Sequence, residues 1–273
     1  MQLKNIVAPL VAFLCCTGIN NSLYAQNSDI SSGVKAPSTV KVDGKTTEWG
    51  NLPAYNKATT LRYTLANDAN NLYLVLTCTD NQNINKLLAG GLTFTINKDG
   101  KKKEKDAVQI QYPLQGKNGG GFRGMRFGGR GTNINVDTAA LVSSRKQMVA
   151  AAKEISVIGV KQITDTLISI YNTDGVKTGI NFDSKGNLYY ELAVPLKLLE
   201  LNAGNATELA YNIKLNGMQF GGNRERGEGR PGGNGGGNFG GNISISGGGA
   251  FGDTMMDLIS PTDFWGKYKL AKP

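Results

Sequence analysis

The sequence contains no histidine among its 273 residues, and it has only three cysteines and two tryptophans. The absence of histidine excludes Ser-His-Asp and Cys-His catalytic centres, because both need an imidazole base. It also excludes zinc, copper and haem sites that depend on imidazole ligands. A pair of carboxylates of the glycosidase kind survives as a formal alternative, but no motif marks one. We therefore predict a protein that is not an enzyme.

Residues 1–25 have the three parts of a secretory signal peptide. Lys4 supplies a positive charge, residues 6–16 are apolar, and a polar segment ends at Ala25. The apolar run is too short to span a bilayer as a helix, and no later stretch of the sequence is long and apolar enough to do so. We predict cleavage after Ala25 and a location in the periplasm, at the cell surface or outside the cell.

The cysteines fit an exported chain without a disulfide bond. Cleavage after Ala25 removes Cys15 and Cys16 and leaves Cys78 alone. A lipid anchor on Cys15 or Cys16 is the alternative to free export, although the residues before them are bulkier than a lipobox usually allows. Cys78 shares one face of a predicted strand with Leu74 and Leu76, so we predict a buried small hydrophobe.

Alternation of apolar and polar residues predicts a succession of β-strands. Turn residues such as Asn67-Asp68 separate them. The predicted strands cover residues 61–65, 72–79, 92–96, 108–112, 156–160, 167–172, 179–182, 188–194 and 208–216, and residues 264–270 are predicted to close the sheet.

Helical spacing of apolar residues predicts one inserted helix over about 138–154, capped by Asp137 or Thr138, and a shorter helical turn over 196–201. The predicted fold class is all-β, a two-sheet antiparallel β-sandwich with this helix and two long Gly-rich loops. Residues 26–39, which are polar and rich in serine, are predicted to link the signal peptide to a single domain over 40–273.

The two Gly-rich loops, 116–131 and 219–252, contain most of the 37 glycines and most of the arginines. Both repeat Phe-Gly-Gly and Arg-Gly, so we expect them to lie side by side. Arginine and phenylalanine among glycines suit polyanionic partners. The candidate ligand-binding residues are Phe122, Arg123, Arg126, Phe127, Arg130, Phe220, Arg224, Arg226 and Arg230.

Five stretches in order resemble the family 9 carbohydrate-binding modules, whose fold is shared by DOMON-type domains. They are residues 42–49 (VDGKTTEW), 66–74 (ANDANNLYL), 91–101 (GLTFTINKDGK), 190–196 (YELAVPL) and 262–266 (TDFWG). The resemblance spans about residues 40–270. It implies a β-sandwich that binds carbohydrate, with Trp49 closing one end and Glu191 paired with a basic side chain.

The family resemblance also bears on cofactors. Some members bind calcium through carboxylates, and Asp43, Glu48 and Asp68 are weak candidates for that role, although turn and capping roles suit them better. DOMON-type haem binding uses methionine and histidine, so without histidine we expect no haem. Sugar-binding members hold a glycan end between tryptophan faces, and Trp49 and Trp265 both lie in framework motifs.

Two functions remain open at the level of sequence. The first is an exported, non-catalytic carbohydrate-binding, glycan-associated module. The alternative is an extracytoplasmic scaffold or interaction protein whose Gly/Arg-rich loops contact polyanions or partner proteins, for which the net charge of +9 is suited. We expect a carbohydrate or an acidic glycan as the partner and do not expect nucleic acid.

Overall fold

A computed structural model describes residues 30, 33–114, 137–205, 208–218 and 256–272. Apolar residues alternate along most of its strands, as the sequence predicts. The strands and helices are β1 (Val34–Lys35), β2 (Ala54–Asn56), β3 (Leu61–Asn67), β4 (Asn71–Cys78), α1 (Asn81–Gly90), β5 (Leu92–Asn97), β6 (Val108–Tyr112), α2 (Thr138–Ala151), β7 (Glu154–Ile158), β8 (Leu167–Ser169), β9 (Lys177–Phe182), β10 (Leu188–Pro195), β11 (Glu208–Leu215) and β12 (Thr262–Lys269).

The strands form two sheets, which confirms the all-β, two-sheet prediction. The first sheet has the order β1-β3-β4-β10-β9, with β2 also paired along β3, and the second has the order β12-β11-β5-β6-β7-β8. The predicted antiparallel pairing is wrong at one place, because β1 pairs with β3 in parallel. Both predicted Gly-rich loops, 116–131 and 219–252, lie outside the described residues.

The core lies between the two sheets and is filled by the inward side chains of both. At its centre the hydroxyls of Tyr63 and Tyr211 are 2.9 Å apart, and the Phe264 ring packs on Tyr63. Gly266 makes room for this arrangement, since a Cβ there would lie 2.3 Å from the Tyr211 ring. Cys78 is buried in the same core, as predicted.

The chain joins the first sheet before residue 40. Ile30 is buried in the core, and Val34–Lys35 is strand β1, so the described part of the predicted 26–39 linker packs on the domain. Residues 43–49 then lie over the outer face of the first sheet, where Gly44 contacts Gly179 of β9.

Helix α1 was not predicted from the sequence. It begins after Asp80, whose carboxylate accepts a hydrogen bond from the Asn83 N–H at 2.8 Å. Its apolar side chains Ile84, Leu87 and Leu88 are buried at the end of the core. The helix forms despite its asparagines because the cap and this apolar face outweigh their weak helical propensity.

Helix α2 confirms the predicted inserted helix and its Asp137 cap, and it ends three residues early because β7 begins at Glu154. It packs against β9 and α1. Arg145 on α2 is 1% exposed, and none of the described carboxylates forms an ion pair with it. Its guanidinium donates to three neutral oxygens, those of Gly186 at 2.7 Å, Asn81 at 2.9 Å and Asn85 at 3.2 Å.

We expect Arg145→Ala to lower the free energy of unfolding by about 3 kcal/mol or more, because the buried Gly186 carbonyl and two asparagine oxygens lose their donor and a cavity forms. The matched control is Lys146→Ala, the exposed neighbour on the same helix, which should change stability by less than about 0.5 kcal/mol. Urea unfolding followed by circular dichroism measures both. Equal stabilities for the two variants would contradict a structural role for Arg145.

Candidate functional site

The loop residues predicted to bind ligand lie outside the described residues, but the strand ends to which their segments attach are described. Residues 115–136 follow the end of β6, and residues 219–255 join β11 to β12. At this end Leu92 of β5 pairs with both Tyr112 and Leu215, and Leu215 pairs with Thr262. Both segments therefore attach at the same end of the second sheet, about 10 Å apart. The predicted residues are Phe122, Arg123, Arg126, Phe127, Arg130, Phe220, Arg224, Arg226 and Arg230.

The outer face of the second sheet carries polar side chains on five strands, and two of them, Asn212 and Thr95, are buried. One row of neighbouring side chains runs Trp265, Asn212, Thr95, Gln109 and Ile158, and the next runs Asp263, Lys214, Thr93, Gln111 and Ser156. We call this surface the Trp265 face. Four strand spacings make it about 19 Å long from β12 to β7.

Trp265 occupies one end of this face. Its indole is half-buried, and within the described residues its N–H has no hydrogen-bond acceptor. It lies outward because Phe264 and Gly266, its neighbours along β12, face the core. Part of this aromatic ring is therefore exposed, with an N–H to which no described residue is bonded.

The turn between β5 and β6 folds back over the outer face next to Trp265. Asn97 donates to the carbonyls of Lys103 and Lys105, at 3.1 and 3.4 Å. The Lys102 ammonium contacts the Trp265 carbonyl at 3.4 Å. Lysines thus surround Trp265 on the turn and on the strands.

Ion pairs hold two further lysines close to the Trp265 face. Lys214 lies 3.5 Å from Glu104, and Lys267 lies 2.6 Å from Glu208. Each of these pairs is at least partly exposed, so it contributes little to stability and its lysine can exchange partners.

Beneath the charged groups the face is well ordered by buried amide contacts. The Asn212 side chain is fully buried and donates to Asp263 at 2.6 Å and to the Phe264 carbonyl at 3.0 Å. Its Oδ1 atom has no hydrogen-bond partner. Thr93 and Asn216 bond to each other at 2.9 Å at the end of the sheet where the Gly-rich segments attach.

The predicted basic partner of Glu191 is wrong. This buried carboxylate instead accepts three N–H groups, from Asp43 at 2.9 Å, Gly44 at 2.7 Å and the Trp49 indole at 2.7 Å. Burial raises the pKa of Glu191, and the three donors oppose that shift.

The prediction that Trp49 closes one end of the sandwich is wrong. Trp49 lies half-buried on Tyr73 over the outer face of the first sheet, with ring centroids 5.4 Å apart. Because the two rings pack on each other, neither presents an open aromatic face on which a sugar could stack.

The three weak calcium candidates hold turns. Asp43 accepts from the Lys45 N–H at 2.9 Å, and Glu48 accepts from the Lys41 N–H at 3.2 Å. Asp68 accepts from two backbone N–H groups of the β3–β4 turn and from the Tyr73 hydroxyl at 2.6 Å. Burial would raise the pKa of Asp68, but the Tyr73 hydroxyl and the turn N–H groups lower it below its ordinary value.

The described residues contain no group of three or more cysteine, aspartate or glutamate side chains placed to hold a metal ion. The Cys78 thiol is not a reactive nucleophile at neutral pH, since burial raises its pKa. Among the described helices none has the length and apolar character needed to cross a membrane.

Two concave features lie away from the Trp265 face. A cavity of about 230 Å³ between the sheets has Glu200 at its mouth, where hydrogen bonds from Lys161 and Lys98 lower the pKa of Glu200 to about 2. The carboxylate of Glu200 is thus paired with the ammonium groups of Lys98 and Lys161. A larger cleft of about 510 Å³ lies at the end of the first sheet, between the β3–β4 turn, the segment before β9 and the end of β10.

A scan against protein-family models, a search of curated proteins and a search of solved structures each found no match to this chain. The resemblance to family 9 carbohydrate-binding modules therefore rests on the five sequence motifs.

We expect Glu191→Gln to lower the free energy of unfolding by about 1–3 kcal/mol, because the new amide N–H₂ faces groups that are all donors. In a Trp265→Phe background, where Trp49 is the only tryptophan, the same change should shift fluorescence emission to longer wavelength. Glu154→Gln, on an exposed position of β7, is the control and should change neither property. An unaltered spectrum and stability in Glu191→Gln would show that the carboxylate does not hold the 40–56 segment.

Proposed function

We propose that the chain is an exported, non-catalytic module that binds glycan chains on the Trp265 face. The observation that carries this proposal is a half-buried indole at one end of two rows of mainly polar side chains, with an N–H that has no acceptor among the described residues. The sequence supports it through the signal-peptide pattern of residues 1–25 and the resemblance to family 9 carbohydrate-binding modules. A periplasmic, secreted or cell-surface location belongs to the same proposal.

The chemistry of the face suits sugars. A pyranose has apolar C–H faces that pack on aromatic rings and hydroxyls that both donate and accept hydrogen bonds. Gln109 and Gln111 are half-exposed carboxamides, which offer donors and acceptors together. The face is long enough for several linked sugar units, so a chain fits it better than a single sugar.

The charges around Trp265 favour an acidic glycan. Lys102 donates to the Trp265 carbonyl, and Lys214 and Lys267 lie two residues from Asn212 and Trp265 on the same face. The carboxylate partners of Lys214 and Lys267 are exposed, and a ligand carboxylate or sulfate can replace them at little cost. Binding should therefore weaken as salt is added.

A second candidate function uses the Gly/Arg-rich segments 116–131 and 219–252 as a contact surface for polyanions or partner proteins. The specific observation in its favour is that both segments attach to described strands at one end of the second sheet. Arginine is suited to this role because its planar guanidinium binds carboxylates and sulfates in pairs of hydrogen bonds.

The glycan proposal predicts that Trp265→Ala weakens binding to an acidic polysaccharide at least about tenfold, since stacking and an N–H donor are both lost. Affinity electrophoresis in gels containing polygalacturonate, alginate, heparin or neutral glucans measures the retardation. Tyr171→Ala, which removes an aromatic ring that is 76% exposed on another part of the surface, is the matched control and should migrate like the parent. Failure of the parent to bind any polysaccharide would end the proposal.

The contact-surface alternative predicts a different outcome for a chain in which residues 219–252 are replaced by a short Gly-Ser linker. Retardation by heparin should be lost in that variant while its thermal unfolding temperature stays the same, because the replaced residues follow the last described residue of the β11 end. Retained binding in the replaced chain, together with loss in Trp265→Ala, would assign the ligand to the sheet face alone.

A further inference from the structure

The cleft at the end of the first sheet, about 510 Å³ in volume, is within the size range of small-molecule sites. Three parts of the chain that are distant in sequence build it. They are the β3–β4 turn with Asn70, the segment before β9 with Thr173, Asp174 and Lys177, and the end of β10 with the residues that follow it. Pro195, Leu196 and Leu201 supply apolar lining, and Leu196 is buried.

Five of the polar side chains around this cleft have no partners among the described residues. Asn70, Thr173, Asp174, Lys177 and Lys197 make no side-chain hydrogen bond or ion pair there. The 230 Å³ cavity differs, since its lysines are neutralised by Glu200. The cleft therefore presents two ammonium groups, a carboxylate, a carboxamide and a hydroxyl, all free to bind.

The backbone that presents these groups is held firmly. The Leu196 N–H donates to the Asn70 carbonyl at 2.7 Å, which ties the β3–β4 turn to the end of β10. The Asn172 side chain accepts from the Gly175 N–H at 3.1 Å and donates to the Val176 carbonyl at 2.8 Å. Gly175 has a φ of +93°, and a Cβ there would lie 3.0 Å from Pro195, so the turn closes tightly on the cleft. A site ordered in advance loses less entropy when it binds a ligand.

We propose that this cleft is a second binding site and that it takes a short acidic saccharide of one or two hexuronic acid units. Lys177 and Lys197 together outnumber Asp174, so the cleft favours an anion and can bind a carboxylate with both ammonium groups. Asn70, Thr173 and Asp174 provide the mixed donors and acceptors that sugar hydroxyls need, and the apolar lining accommodates a C–H face. The site belongs to the first sheet and does not depend on the Trp265 face.

The test is a calorimetric and NMR titration of the full mature chain with glucuronate and digalacturonate. Acetate and inorganic phosphate serve as simple anions, and methyl glucoside and cellobiose serve as neutral sugars. We expect binding of the two uronates and at least about tenfold weaker binding of both comparison sets, because neither pairs a carboxylate with hydroxyls. The double substitution Lys177→Ala/Lys197→Ala should weaken uronate binding at least about tenfold.

Two controls separate this site from general charge effects and from the Trp265 face. Lys57→Ala removes an exposed lysine elsewhere on the first sheet side and should leave affinity within about twofold of the parent. Trp265→Ala should leave uronate binding in the cleft intact, even if it abolishes retardation by polysaccharides. Thermal unfolding of the lysine variants should match the parent, since the Lys57, Lys177 and Lys197 side chains are exposed.

Several results would overturn the proposal. These are no uronate binding at millimolar concentration, equal affinity for acetate or for a neutral sugar, and an unchanged affinity in the double lysine variant. Loss of uronate binding in Trp265→Ala would also overturn it, because the ligand would then lie on the second sheet. Failure of the parent in the polysaccharide gels leaves the titration result unaffected, so the two proposals are tested separately.

Discussion

The buried carboxylate of Glu191 is the contact on which the arrangement of the first sheet depends. A carboxylate without a cation is expensive to bury, and here three N–H donors compensate for the lost water. Those donors all belong to the 43–49 segment, so the charge can be satisfied only when that segment lies on the sheet. Gly44 and Gly179 allow the two backbones to approach closely enough for these bonds to form.

Coverage of the first sheet determines which surfaces remain for ligands. Because residues 43–49 lie over its outer face, Trp49 and Tyr73 pack on each other. The Trp265 face and the cleft at the end of β10 are separate regions. The first is formed by neighbouring strands of the second sheet, whereas the second is a concave cleft built from three distant parts of the chain.

The sequence predicted where strands and helices occur better than it predicted which of them pack together. Alternation identified most strands, and the Asp137 cap and apolar spacing identified α2, because these signals are local. Helix α1 was missed because Asn81, Asn83 and Asn85 read as a loop. The spacing of Ile84, Leu87 and Leu88 after the Asp80 cap was the signal that could have found it. Nothing in the sequence indicated that Arg145 would be buried, since its oxygen partners come from α1 and from the β9–β10 turn.

By itself the sequence determined an all-β chain, the absence of imidazole chemistry and the positions of the turns, because each of these follows from residue type and short-range spacing. Tertiary structure alone decided the partner of Glu191, the separate environments of Trp49 and Trp265, and the cleft shared by Asn70, Asp174 and Lys197. The physical reason is that sheet register joins residues more than a hundred positions apart. The alternation of residues along one strand shows which side chains share a face. Which residues that face contacts depends on the strands and loops that pack beside it in the folded protein.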